Sequence, residues 1–203
     1  MKTLVIVDVQ KDFMPGGSLE LPQGDMIVPL INRLQENFDL VVATQDWHPR
    51  IHKSFASNHS NKKPFDKIVL DGMEQTLWPD HCIQGSEGGE FHPDLEINKI
   101  SAIFRKGMDP EIDSYSGFYD NDHKITTGLS GYLREKGTTE IHFCGLAADI
   151  CVYYTIKDAL KEGFSAILIE DATRPLNWND FSKIKNELKK MGIRFLNTNE
   201  VLD

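Results

Sequence analysis

Residues 141–151 read Ile-His-Phe-Cys-Gly-Leu-Ala-Ala-Asp-Ile-Cys. Ile141, Phe143 and Cys144 make an apolar run of the kind buried in a sheet. Gly145-Leu146 breaks the run, and an amphipathic segment starts at Asp149. A strand entering a helix through a tight turn puts Cys151 in the first helical turn. Unpaired backbone N–H groups and the positive end of the helix dipole lie there, and both favour a thiolate. Asp149 works the other way, because a nearby negative charge raises a thiol pKa. Another group must then help take the proton. A lone cysteine on such a segment is otherwise a small core residue, so the rest of the chain has to supply the chemistry.

Working outward, the same alternation recurs. Residues 3–9 are β-branched and apolar almost throughout, interrupted by Asp8 near the C-terminal end. Pro15-Gly16-Gly17 marks a turn. Ile27, Leu30, Ile31, Leu34 and Phe38 share one helical face over about 24–37. Residues 40–44 form a second buried strand, followed by Gln45-Asp46-Trp47-His48-Pro49. Strands are expected at 102–104, 166–169 and 194–196. Helices are expected at 129–136, from the Cys151 turn to about 162, and at 180–191, the last burying Phe181, Ile184, Leu188 and Met191. Alternation of this kind means right-handed crossovers and a mostly parallel open sheet with helices on both faces, an α/β fold. We expect one domain over 1–203. Its irregular segment, about 46–101, holds five of the seven histidines (His48, His52, His59, His81, His92) and is long enough to be functional. Short elements are expected inside it at 68–70 and 75–78.

The composition narrows the class. A chain of 203 residues with 40% hydrophobic and 26% charged residues is of the soluble globular type. A net charge of −9 argues against nucleic-acid backbones and anionic membranes as partners. No apolar run approaches the roughly 18 residues of a membrane span. The N-terminus lacks a signal-peptide pattern. Cys82, Cys144 and Cys151 are an odd, sparse set, as expected of reduced thiols in the cytoplasm.

In parallel sheets, ligands bind at the carboxyl ends of strands. Asp8, Asp46, Lys106 and Cys151 each end or follow an expected strand and should converge there. A thiol with a pKa near 8.5 needs its proton removed before it attacks. Asp8 can remove it, and Lys106 can hold Asp8 ionised. His142 lies inside a strand and reads as structural. Asp46, His48 and His81 form a second set, one carboxylate and two imidazoles, suited to Zn²⁺, Fe²⁺ or Mn²⁺ with positions left open. His52, His59, His92, Asp80 and Cys82 compete for that role. Gly145 to Ala148 permits close backbone approach, and the Ala147 and Cys151 N–H groups suit an oxyanion. The loop after the first strand lacks Gly-x-Gly-x-x-Gly, against a dinucleotide enzyme. A non-catalytic binding protein on a Rossmann-like sheet is the other alternative.

Several segments together resemble the nicotinamidase/pyrazinamidase branch of the isochorismatase-like cysteine hydrolases. They are Asp8-Val9-Gln10-Lys11-Asp12-Phe13, Thr44-Gln45-Asp46-Trp47-His48-Pro49, Trp78-Pro79-Asp80-His81-Cys82, Arg105-Lys106-Gly107, Tyr115-Ser116-Gly117-Phe118 and Gly145 to Cys151. The resemblance implies a catalytic triad of Asp8, Lys106 and Cys151, and metal ligands Asp46, His48 and His81. It implies aromatic walls Phe13 and Trp78, with Tyr115 nearby. It also places a cis peptide at Leu146-Ala147 beside an oxyanion hole, with Leu146 facing the substrate. Some relatives use a fourth histidine, for which His52 is the nearest candidate. The implied reaction is hydrolysis of nicotinamide to nicotinate and ammonia through a Cys thioester, in NAD salvage. One divalent metal ion is expected, Zn²⁺ first, with Fe²⁺ or Mn²⁺ as alternatives. A homo-oligomer is compatible with this.

Overall fold

The computed structural model describes residues 1–203. Six parallel strands form one sheet in the order β5-β2-β1-β6-β7-β8. They are β1 (Lys2–Val7), β2 (Leu40–Asp46), β5 (Ala102–Lys106), β6 (Glu140–Leu146), β7 (Ser165–Arg174) and β8 (Arg194–Leu196). The order runs outward from β1 to one edge and then from β6 to the other. The switch point lies between β1 and β6, where Val7 sits opposite Gly145, and this is where ligands bind in such sheets.

Period-2 alternation sends successive strand residues to opposite faces. Leu4, Ile6, Val41, Ala43 and Ile169 pack with α1 (Val28–Gln35) and α5 (Thr198–Leu202). Val5, Val7, Val42, Phe143 and Leu168 pack with α2 (Leu129–Glu135), α3 (Cys151–Lys161) and α4 (Trp178–Lys190). Helices thus cover both faces, as the alternation predicts.

Several boundaries differ from expectation. β1 ends at Val7 because Asp8 adopts φ +48°, a left-handed conformation that Asp tolerates better than most residues. The helix expected over 24–37 is a 3₁₀ turn, Gly24–Ile27, followed by α1. Pro29 has no N–H to donate and fits only the first helical turn. β7 runs five residues past the expected end at 169, through Glu170 and Asp171, with a register shift against β6. Met191 lies beyond α4 and is exposed. The elements at 68–70 and 75–78 are a hairpin, β3 (Lys67–Leu70) and β4 (Met73–Thr76). Asp71 and Gly72 both have positive φ there, as a two-residue Asp-Gly hairpin loop requires. α5 was not expected. Glu200 accepts from the Asn197 N–H at 2.6 Å, one half of a capping box.

Candidate active site

Four strand ends deliver the expected groups to one point. Lys106 closes β5 opposite Asp46, which closes β2. Asp8 follows β1, and Cys151 is the first residue of α3. Cys151 reaches this position through Gly145, where φ is +109° and an added Cβ would lie 2.1 Å from the Val7 carbonyl oxygen. No other residue permits that approach.

The Lys106 ammonium is fully buried at the centre. Nζ donates to Asp46 Oδ1 at 2.8 Å, to the Ser114 carbonyl at 3.0 Å and to Cys151 Sγ at 3.4 Å. It also lies 2.9 Å from Asp8 Oδ2. Burial disfavours its charge, but Asp46 and Asp8 outweigh burial and hold its pKa well up, so it stays an ammonium. Burial likewise pushes the Cys151 thiol well up, with Lys106 pulling against it. The helix-terminus argument for a thiolate is therefore overridden by desolvation. The resting sulfur is a thiol, and it needs a base. Asp149 is not the opposing charge the sequence suggests. Its two oxygens accept the Leu176 and Asn177 N–H groups at 2.8 Å, tying the turn before α3 to the loop after β7.

Asp8 meets the need for a base. Burial raises its pKa above the ordinary carboxylate value, with Asp46 adding to this and Lys106 opposing. Its Oδ1 accepts from the Thr44 hydroxyl at 2.6 Å. Its Oδ2 is buried and receives no hydrogen bond. The Ala147 and Cys151 N–H groups donate to no acceptor within the protein. The Leu146–Ala147 peptide is cis.

Asp46, His48 and His81 lie beside this group, all buried, with their donor atoms within 4.8 Å of one another. His48 Nδ1 donates to the Gly107 carbonyl at 2.9 Å, and His81 Nδ1 to the Pro79 carbonyl at 2.8 Å. Those bonds fix each tautomer and turn both Nε2 atoms to Asp46 Oδ2, at 3.1 and 3.4 Å. Backbone partners of this kind orient metal-ligating imidazoles. Buried N, N, O donors fit a divalent transition ion with open positions. His48, His52 and Asp113 form an overlapping group. His52 Nδ1 bonds the Ser54 hydroxyl at 2.7 Å, and its Nε2 is buried without a partner. Burial lowers its pKa to about 4, which keeps the ring neutral. His59 and His92 instead bond the Lys53 carbonyl and the Asp94 N–H, and Asp80 accepts from Ser57. Cys82 is buried in the core.

A cleft opens over both groups. Phe13, Trp78, Tyr115, His81, Ala147 and Cys151 line it, with Leu19, Leu21, Ile150, Leu176 and Asp113. Leu146 does not. Its side chain is fully buried in the core and is not part of the cleft lining. Sequence reasoning missed Thr44, Asp113 and the aliphatic wall, because nothing local marks which loop residues fold over a sheet edge. A second, larger hollow lies behind Asp113 and Tyr115, against the β3–β4 hairpin.

An isochorismatase domain model matches residues 2–200, and the chain belongs to that family. Within it the chain is similar to nicotinamidases. It is 43% identical over 200 residues to the nicotinamidase of Acinetobacter baylyi, covering 98% of this chain and 94% of that one. It is 45% identical over 180 residues to the nicotinamidase of Escherichia coli, covering 87% and 84%. A nicotinamidase of Acinetobacter baumanii superposes with a TM-score of 0.95 at 45% identity, covering 98% of this chain and 97% of that one. The PnC1 of L. infantum, solved with nicotinate, gives 0.87 at 37% identity over 98% and 93%. The pyrazinamidase of Pyrococcus horikoshii, solved with zinc, gives 0.80 at 36% identity over 97% and 98%.

Proposed function

We propose that the protein is an amidohydrolase that converts nicotinamide to nicotinate and ammonia, with residues 1–203 acting as one domain. One observation carries the proposal. A single buried ammonium, Lys106, joins the base Asp8, the nucleophile Cys151 and the metal-site carboxylate Asp46. The aromatic cleft above them suits a flat ring, and the relatives that bind nicotinate or act on nicotinamide agree with it.

Asp8 takes the proton of Cys151, and the thiolate attacks the carboxamide carbon. The Ala147 and Cys151 N–H groups hold the oxyanion. One such donor is typically worth roughly 3–4 kcal/mol of barrier. On collapse the C–N bond breaks and Asp8 returns the proton to the leaving ammonia, which leaves a thioester. Asp8 then takes a proton from water, the hydroxide adds to the thioester, the C–S bond breaks as the proton returns to sulfur, and nicotinic acid departs and ionises to nicotinate. Phe13, Trp78 and Tyr115 position the ring. Asp46, His48 and His81 would hold one divalent ion, with Zn²⁺ favoured by the zinc-bound relative. When bound, such an ion supplies a Lewis acid for the pyridine nitrogen.

Three unpaired cysteines favour a reducing compartment, and we place the protein in the cytoplasm. No helix is long and apolar enough to cross a membrane.

The test is ammonia release from nicotinamide before chelation, after it, and after reloading with Zn²⁺, Fe²⁺ or Mn²⁺. Activity lost and then restored supports triad and metal together, with benzamide, which lacks the ring nitrogen, turned over poorly. No ammonia from fully loaded protein overturns the substrate assignment.

A further inference from the structure

An ammonium carries three protons. Nζ of Lys106 bonds Asp46 Oδ1, the Ser114 carbonyl and Cys151 Sγ. Asp8 Oδ2 is its fourth neighbour, an ion-pair contact at 2.9 Å that lies outside good hydrogen-bond geometry. The other oxygen, Oδ1, is capped by the Thr44 hydroxyl at 2.6 Å. Thr44 is fully buried, and its Cγ2 packs where Gly117 leaves room for it. The two oxygens of one carboxylate are thus made unequal.

We infer that Thr44 is a positioning residue for the reaction, one that makes Oδ2 of Asp8 the oxygen that accepts the Cys151 proton. Oδ1 already accepts from the Thr44 hydroxyl. Oδ2 is buried beside the cation that also holds the sulfur, and no side-chain hydroxyl or backbone N–H donates to it. The thiol S–H bond breaks, its proton forms a bond to Oδ2, and the electron pair stays on sulfur, next to the Lys106 charge. Without the Thr44 hydroxyl, the carboxyl group can rotate about its Cβ–Cγ bond, and either oxygen takes the place beside Lys106. The Asp8 backbone gives no other hold on Oδ1, since its N–H donates to the Thr44 carbonyl at 3.3 Å. One residue of β2 therefore grips both the main chain and the side chain of the base.

The inference rests on Asp8 acting as the base, and the experiment separates the two. Thr44→Val, Thr44→Ala, Thr44→Ser and Asp8→Asn are compared in the metal-loaded protein. The readouts are the single-turnover rate of ammonia release and the affinity for nicotinate. Thr44→Val should slow release roughly tenfold to a hundredfold while nicotinate binds as to the unaltered protein. Thr44→Ser, which keeps the hydroxyl, should restore most of that rate. If Thr44→Val does not fold, Thr44→Ala carries the same expectation. An undiminished rate in Thr44→Val overturns the inference, and so does a Thr44→Ser as slow as Thr44→Val. A rate that falls only in step with nicotinate affinity does so as well, since that is the mark of a merely structural role. Full activity in Asp8→Asn overturns the base assignment itself, and loss there with a normal Thr44→Val overturns the inference alone.

Discussion

Lys106 carries more of the site than its position at a strand end suggests. Two carboxylates, a carbonyl and a sulfur share one buried charge. Removing one partner of a buried ion pair typically costs 3–5 kcal/mol, because the remaining charge is left uncompensated. Lys106→Met should therefore lower stability by about that amount in denaturant titration and abolish ammonia release. Lys106→Arg should not restore activity, since a planar guanidinium cannot take the place of a compact ammonium. Cys151→Ala removes the proposed nucleophile and leaves Asp46, His48 and His81 untouched. Its expected outcome is no turnover with metal content unchanged, read by elemental analysis of the purified variant. At this scale the reactive residue types were legible in the sequence, since Asp8, Asp46, Lys106 and Cys151 all end or follow expected strands. The protonation of Cys151 was not, because desolvation depends on what packs over the thiol, and no local pattern shows that.

Between the residue and the whole lies the junction of β6 with α3. Gly145 passes Val7 closely enough that a Cβ would meet backbone, and backbone cannot step aside. Gly145→Ala combines a positive-φ penalty with overpacking and should cost roughly 2–5 kcal/mol, seen as a fall in melting temperature. Gly107 has a similar constraint on the metal side. At φ +67° its Cβ would lie 2.3 Å from His48 Cε1, so substitution there disturbs the ring it holds through its carbonyl. The far end of α3 gives a pH prediction. Glu162 accepts from Ser130, Tyr119 and Arg134 and is held down to about 2. A depressed carboxyl pKa adds stability that is present above its unfolded value of 4.5 and lost as pH falls toward 2. The melting temperature should fall across that window, and less steeply in Glu162→Gln, which no longer titrates. Periodicity revealed nearly every element, while ends at Asp8, Pro29 and Met191 depended on single conformations or on packing.

The whole molecule uses its irregular segment to line one side of the cleft. Residues 46–101 have little regular structure, yet His81 and Trp78 reach the sheet edge through bridges such as His48–Ile83 and Phe55–Trp78. A divalent ion held by Asp46, His48 and His81 would join this segment to β2, so binding should stabilise the fold. At a hundredfold excess over Kd the gain is about 2.7 kcal/mol, or roughly 5–10 °C for a chain of this length. A thermal scan with and without chelator checks it, and an unchanged midpoint would tell against the ion. The sequence by itself determined the α/β class, the strand and helix order, and which residues stand at strand ends, because all three follow from local periodicity and chain direction. The tertiary structure alone decided that Leu146 turns into the core, that Asp149 accepts from the Leu176 and Asn177 N–H groups, that Thr44 caps Asp8, and that Lys106 gathers Asp46, Ser114, Cys151 and Asp8 around it. Those outcomes depend on how separate strands and loops meet in three dimensions, where burial and a limited supply of donors settle each partner.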